Sequence, residues 1–375
     1  MEGSKVTIIG CGLIGGSIAL ALRRRRPGWS IACIDLPDRL PAIRESGVAD
    51  SIGAPDDLAA LVPDSSLVIL ATPVHAIPEW IARLKPVVRA GTIVTDVGST
   101  KKQIMETAQL LLPAGAHFIG GHPMAGTEHS GVEAADPLLF SDKVWLLCPY
   151  PDTPPGALLQ LMDLAEDLLA FPITLDPEEH DRLMAMISHL PQLISVALMH
   201  AARAADAGHA MLARLAGRGF LDMTRLAASG YGIWKGILET NREAVEDSIR
   251  RFEESLSLLR RLLATEDLEW IWEETAGHRR RLGTDNAARP RKPDLRSTID
   301  HCDKQLLAAL GRRVQAVRKM GRLKANQSLP VLDPDREKRM MLQREEWGKS
   351  LDLPPELIEE LFEVILRHST RLQRQ

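Results

Sequence analysis

At 375 residues and 45% hydrophobic content, the chain is long enough for two or three buried cores, and a net charge of −4 gives no electrostatic reason to expect nucleic acid or a membrane as partner. The four cysteines, at 11, 33, 148 and 302, form no C-x-x-C and no regular spacing, so they read as reduced core residues of a cytosolic protein and imply no metal site. The opening MEGSK leads straight into the strand VTIIG, so neither an export signal nor a transmembrane span is expected.

Residues 1–152 alternate short apolar strands with helical stretches, the pattern of a Rossmann-type α/β sheet wound on both faces. Strands are expected at Val6 to Ile9, Ile31 to Ile34, Leu67 to Ala71, Ile93 to Asp96 and Val144 to Leu147. The first is followed by Gly10-Cys11-Gly12-Leu13-Ile14-Gly15-Gly16-Ser17, which opens a helix. Glycines there allow a tight turn and bring backbone N–H groups close to a pyrophosphate lying on the positive helix end. Gly10, Gly12, Leu13, Ile14 and Gly15 are therefore candidate cofactor contacts. Asp35 ends the next strand 25 residues after Gly10, where a carboxylate accepts both ribose hydroxyls of NAD and repels a 2′-phosphate. Arg39, close by, pulls the other way.

The ends of the later strands carry Thr72-Pro73, then Asp96-Val97-Gly98-Ser99-x-Lys101, then Gly120-Gly121-His122-Pro123-Met124-Ala125-Gly126-Thr127-Glu128. An open α/β sheet binds its ligands at these carboxyl ends. A lone loop histidine is usually just solvated. His122 differs, because the Gly-Gly, Pro and Ala-Gly around it suggest backbone kept close to a ligand, and a constrained backbone suits a base that must hold its geometry.

From Pro154 to about Arg281 the strand pattern gives way to helical periodicity, as in Leu183, Met186, Ile187, Leu190, Leu193, Val196 and Ala197, so 153–283 reads as a second, all-helical domain. Residues 284–293, TDNAARPRKP, have two prolines and no apolar stripe, the mark of a linker. Residues 294–375 read as a third domain, also all-helical. Leu295, Ile299, Leu306, Leu310, Val314, Val317 and Met320 recur every three or four positions, predicting one helix from Asp294 to about Gln327. Arg296, Arg313, Lys324, Arg336 and Gln373 face few carboxylates, Asp333 and Glu337 among them, which suits a small dianion gripped in one conformation. At ~1.5 Å per residue, Arg313 and Lys324 lie roughly 16 Å apart on almost the same face, so both can reach one ligand. Arg296 lies roughly 25 Å before Arg313, too far to share that pocket along a straight helix. It is either a surface charge or part of a pocket completed by a second copy of the chain.

Two family resemblances rest on these residues. Leu295-Arg296-x-x-Ile299-Asp300, Arg312-Arg313, Gly321-x-x-Lys324, Pro330-Val331-x-Asp333-Pro334-x-Arg336-Glu337 and Ser369-x-x-x-Gln373 resemble the all-helical chorismate mutases over 294–375, without an insertion. The resemblance implies an intertwined homodimer in which Arg313 and the partner's Arg296 hold the two carboxylates of chorismate. Lys324 and Gln373 would donate to the ether oxygen, and Glu337 and the backbone around Asp333 would position the ring hydroxyl, with Arg336 and Ser369 in support. The glycine turn and the His122 loop resemble prephenate dehydrogenases over residues 5 to about 260. That resemblance implies His122 as catalytic base, Ser99 as the hydroxyl orienting it and the nicotinamide, His189 of Ser188-His189-Leu190-Pro191 facing the substrate, and Arg225 of Met223-Thr224-Arg225 pairing with a carboxylate. Thr127 and Glu128 would line the cleft, and Thr72 and Pro73 would touch the cofactor. Trp234 would sit near the substrate, although its lead-in Ser229-Gly230-Tyr231-Gly232 departs from the family's Asp-Pro pattern.

The product of the mutase is the substrate of the dehydrogenase, so the two readings support each other. The expectation is a bifunctional enzyme of tyrosine biosynthesis in the cytoplasm, which converts chorismate to prephenate and oxidises it with NAD. The alternative is a dehydrogenase acting alone, on prephenate or arogenate, with the last domain serving dimerisation or prephenate sensing.

Overall fold

The computed structural model describes residues 4–127, 129–205, 211–265, 267–287, 295–326 and 334–373. It falls into two compact units, one of residues 1–153 and 160–280, the other of 154–159 and 281–375.

The first unit is built on eight strands: β1 (Lys5–Ile9), β2 (Ser30–Ile34), β3 (Ser51–Gly53), β4 (Leu67–Leu70), β5 (Ile93–Asp96), β6 (His117–Pro123), β7 (Val144–Cys148) and β8 (Phe171–Thr174). Their order is β3-β2-β1-β4-β5-β6-β7-β8, parallel throughout except that β6 meets β7 antiparallel. Helices cover the sheet, so its strands read as unbroken apolar runs: Ile31, Ala32, Cys33 and Ile34 are all buried, as are Val68, Ile69 and Leu70. Thr7, the polar exception on β1, is fully buried with its hydroxyl bonded to Leu61 O at 3.0 Å and Ser65 Oγ at 2.7 Å. The chain reverses its direction of winding between β1 and β4, and the crevice at that switch point lies beside Gly10 and Thr72.

Three strands differ from the sequence expectation. β3 has only three residues, too few for a period. β6, HFIGGHP, is masked by its glycines and proline, and it places His122 within the sheet instead of in a following loop. β8, FPIT, pairs with β7 and lies at the sheet edge, where a proline is tolerated. The sheet therefore runs on to Thr174, beyond the expected border at 152/153. The expected linker also changes: residues 284–287 continue the helix Glu269–Ala287, and 288–293 lie outside the described residues.

Helices follow β8. Asp176 caps the helix Pro177–Met184 by accepting the N–H groups of Glu178 and Glu179 at 2.9 and 3.2 Å, with Pro177 at the first position. A π-turn, Ala185–His189, joins it to Leu190–Ala205. Within this run of 29 residues an 18-residue window has a mean hydropathy of 1.4, enough by length and composition to cross a membrane. It also buries His180, Asp181 and Gln192 in hydrogen bonds, which marks its inner face as a polar site.

The second unit contains Leu295–Asn326, Pro334–Ser350 and Pro355–Gln373. The first is one uninterrupted helix of 32 residues, so the rise used above for Arg296, Arg313 and Lys324 applies. Gly321 lets the last helix close in, since a Cβ there would lie 3.0 Å from Gln373 Cα; Gly348 does the same beneath Ile358.

One buried ion pair fixes the floor of the sheet's carboxyl end. Asp96 and Lys101 are both fully buried and bonded to each other. Lys101 Nζ also donates to Gly121 O at 2.8 Å, while Asp96 accepts the N–H of Gly98 at 2.8 Å and of Gly121 at 3.1 Å. Removing one partner strands a charge in the interior. Lys101→Met should therefore lower the unfolding free energy of this unit by about 3–5 kcal/mol, read as a drop in the urea midpoint. An unchanged midpoint would mean that the pair does not clamp β5 to β6.

Candidate functional site

The glycine turn is shaped by close contacts. Gly10 has φ of +91°, and a Cβ there would lie 2.6 Å from Ala71 O; one on Gly15 would lie 2.0 Å from Gly10 O. Gly12 faces open space. The helix Leu13–Arg25 that follows starts at Gly12 with no side-chain cap, so its first N–H groups are available to an anion. Asp35, at the end of β2, ties the turn down. Its Oδ2 accepts the N–H of Cys11 and its Oδ1 that of Leu36, both at 2.7 Å. Thr72 Oγ1 is buried without a hydrogen-bond partner, and its amide is among the nearest atoms to Gly10. Pro73 beside it is exposed. Uncapped amides, an anchored carboxylate and an orphan hydroxyl around one crevice fit a dinucleotide.

Further along the sheet, His122 at the end of β6 begins a chain of hydrogen bonds. Its Nδ1 lies 2.9 Å from His180 Nε2, and His180 Nδ1 lies 2.8 Å from Asp181 Oδ1. Asn241 donates from Nδ2 to Asp181 O at 2.8 Å and to His189 Nδ1 at 3.3 Å. His189 therefore carries its proton on Nε2, which is buried without a partner. Its ring meets Trp234 edge-on at 6.1 Å, and Trp234 Nε1 donates to Ser229 Oγ at 3.0 Å. Gln192 Nε2 reaches the same Ser229 hydroxyl at 2.7 Å and Leu226 O at 2.9 Å.

The structure thus gathers His122, His189 and Trp234 around one network and adds His180, Asp181, Asn241 and Gln192, which the sequence did not single out. Ser99 is half-buried in the loop between Asp96 and Lys101. Arg225 stands on the turn Arg225–Ala228, held through Ala227 N to Ser195 Oγ at 3.0 Å, but its side chain is exposed. Thr127 is exposed too, its Oγ1 accepting the N–H of His129 at 3.2 Å. Glu128 lies outside the described residues.

Burial sets the protonation of the cluster. It pushes His122 well below the ordinary histidine value, helped by repulsion from His180, Lys101 and His189. Burial lowers His180 as well, against the pull of Asp181, and brings His189 down to about 4. All three rings are neutral at pH 7, the form in which histidine can accept a proton.

A second site lies in the C-terminal unit, a cavity of about 260 Å³. Arg313, Lys324, Arg336, Glu337, Ser369 and Gln373 all line it. Ser369 Oγ accepts a hydrogen bond from Arg313 Nη1 and donates to Ile365 O at 2.7 Å, which fixes the guanidinium. Gln373 Oε1 is buried without a partner. Arg344, a further wall residue that sequence reasoning missed, packs its guanidinium 4.4 Å over the Phe362 ring and repels Arg313. It follows Glu337 by two helical turns, a spacing that signals a shared face. The side chain of Arg296 is not described, and Asp333 lies outside the described residues.

Comparison with known proteins matches three family models in series. The nucleotide-binding domain of prephenate dehydrogenase matches residues 18–171, its dimerization domain 176–275, and type II chorismate mutase 295–374. A prephenate dehydrogenase of Bacillus subtilis (strain 168) is 35% identical over 269 residues, 70% of this chain and 71% of that one. A prephenate dehydrogenase from A. aeolicus, solved with hydroxyphenyl propionate and NAD+, superposes with a TM-score of 0.69 at 30% identity, covering 74% of this chain and 98% of that one. An arogenate dehydrogenase from Synechocystis gives 0.66 at 31% identity, covering 74% and 99%.

The three neutral histidines make the fold acid-sensitive. The unfolded chain binds protons at these side chains from about pH 6.5 downward while the buried rings resist, so the stability they contribute is complete above that pH and is lost as pH falls. For His189, with its pKa of about 4, the loss by pH 4 is about 3 kcal/mol. Urea unfolding should show a falling midpoint between pH 6.5 and 4, shallower in His189→Asn. A flat profile would mean that the rings are already charged in the folded protein.

Proposed function

The chain belongs to the prephenate dehydrogenase family and carries a type II chorismate mutase domain behind it, and from this we propose that it rearranges chorismate to prephenate at one site and oxidises prephenate at the other. The single observation that carries the oxidation is the hydrogen-bond chain ending at His122. His122 Nδ1 is committed to His180, so the Nε2 lone pair remains for the ring hydroxyl of the substrate. His122 takes that proton as hydride leaves the same ring carbon. Loss of CO2 from the opposite, quaternary carbon then aromatises the ring to 4-hydroxyphenylpyruvate. NAD, when bound at the Gly10 turn, supplies the hydride acceptor, with Asp35 on its ribose hydroxyls and Thr72, Pro73 and Ser99 along its length. His189 offers an Nε2–H to the substrate, Trp234 packs against that ring, and Arg225 holds a carboxylate as a bidentate pair, with Thr127 and Glu128 at the cleft.

The mutase reaction is pericyclic and needs no base, nucleophile or metal. Restraint of the reactive conformer and charge stabilisation at the ether oxygen supply the rate. Arg313 and Arg296 of a second copy hold the two carboxylates, Lys324 and Gln373 donate to the ether oxygen, and Glu337 and Asp333 place the ring hydroxyl, with Arg336 and Ser369 in support. The excess of cations in the cavity wall supports this arrangement. A homodimer in the cytoplasm fits the exposed Met186, Ile187, Val196 and Met199 along the segment matched to the dimerization domain. We assign residues up to Thr174 to nucleotide binding, the helices to residue 283 to substrate binding and dimerisation, and 294–375 to the mutase.

His122→Asn should lower NADH formation by roughly 10² to 10⁴-fold and leave chorismate mutase turnover near normal, since the mutase residues lie beyond 294. Near-normal NAD reduction in this variant would remove His122 from the mechanism. Sharing of the mutase site between copies is tested by mixing. Arg296 and Lys324 are separated by roughly 42 Å of helix, so inactive Arg296→Ala and inactive Lys324→Ala proteins should regain activity after subunit exchange. In the mixed dimer one pocket collects both lesions and the other none. Continued inactivity after verified exchange would mean that Arg296 does not act across the dimer.

A further inference from the structure

We propose that His180 and Asp181 act with His122 as a relay, fixing its tautomer and drawing the positive charge of the abstracted proton away from the reacting carbon. The proposal rests on His122 being the dehydrogenase base. Asp181 sets the direction of the chain. Its two oxygens accept the backbone N–H of Lys101 at 2.7 Å and of Lys102 at 3.0 Å, so the carboxylate serves as the acceptor end of the chain. His180 Nδ1 must then be the donor to Asp181, which leaves its Nε2 as acceptor and makes His122 Nδ1 the donor in turn. Only one arrangement of protons satisfies both side-chain contacts, and it opens the His122 Nε2 lone pair.

The same geometry gives the proton a route. As the substrate O–H bond breaks, N–H forms at His122 Nε2, and the proton on His122 Nδ1 passes to His180 Nε2. His122 ends neutral, and His180 becomes an imidazolium paired with Asp181. The carbon losing hydride becomes electron-poor, so a cation one ring further away disfavours that step less than one on His122. His180 is fully buried among His122, Lys101, Asp96, His189 and Asp181. Of these, the carboxylate bonded to it is Asp181, whereas the Asp96 carboxylate is bonded to Lys101. His180 and Asp181 touch neither substrate nor cofactor in this scheme. They are positioning residues.

The test is the pH profile of dehydrogenase turnover in the full-length protein. Asp181→Asn should lower the plateau kcat roughly 10- to 100-fold and move the acidic limb about one pH unit lower, because the charge that favours the protonated pair is gone. KM for NAD and mutase turnover should stay near wild type. His180→Gln, read in the same way, decides the matter where Asp181→Asn does not fold, since it leaves the backbone contacts of Asp181 in place. A lowered plateau with the limb unmoved would reduce both residues to packing, and an unchanged plateau would remove them altogether; either result overturns the relay. Full activity in His122→Asn would instead overturn the base assignment beneath it.

Discussion

The ion pair between Asp96 and Lys101 is the constraint on which the dehydrogenase half depends. Both charges are out of water, and each is satisfied by backbone as well as by its partner: Gly98 and Gly121 amides on the carboxylate, the Gly121 carbonyl on the ammonium. Desolvating a pair of charges is expensive, and removing one of them is worse, so the geometry tolerates little drift. The strand β5, the loop carrying Ser99 and the strand carrying His122 are thereby locked to one another. Lys101 also donates its backbone N–H to Asp181, so the lock extends into the first helix after the sheet. A Cβ at Gly121 would sit 2.3 Å from Asp96 O, which shows how closely β6 is drawn onto β5 at the residue just before His122.

The two halves solve different problems with different materials. Proton abstraction, as proposed, needs a base that is neutral near pH 7 and aimed; the sheet buries His122 and orders the His180 ring against it. A pericyclic rearrangement needs only a shaped, charged enclosure. Arg313, Lys324, Arg336 and Arg344 surround a cavity whose wall includes the carboxylate of Glu337, and the like charges of Arg313 and Arg344 are eased when an anion enters.

Parts of both sites were legible because the chemistry forces particular residues into particular places. Gly10 must be glycine where φ is positive and the next strand lies within contact, and Asp35 must end β2, so a one-dimensional pattern reveals them. Arg313 and Lys324 stand at helical spacing on one helix, and Gln373 of the last helix meets them in one cavity. His180 was not legible. Its partner His122 is 58 residues away, and a histidine beside an aspartate inside a helix has no signature of its own. The π-turn hides the relation further: nine residues of regular helix would set His189 about half a turn away from His180, whereas the π-turn between them lets both join one network. β8 escaped for a plainer reason, being four residues long with a proline among them. Arg344 lies among charges in MLQREEWGK, where an arginine reads as solvated surface.

The unbroken helix Leu295–Asn326 restricts how this segment of the gene can vary. Loops absorb added or lost residues at little cost, but this rod carries pocket residues at its far end and in its middle, with no turn between them to take up slack. One inserted codon between Arg313 and Gly321 would swing everything beyond it by about 100° and advance it by ~1.5 Å, tearing Lys324 from the cavity and Gly321 from Gln373 together. Single-residue length changes in this stretch are therefore excluded, and divergence here has to proceed by substitution alone.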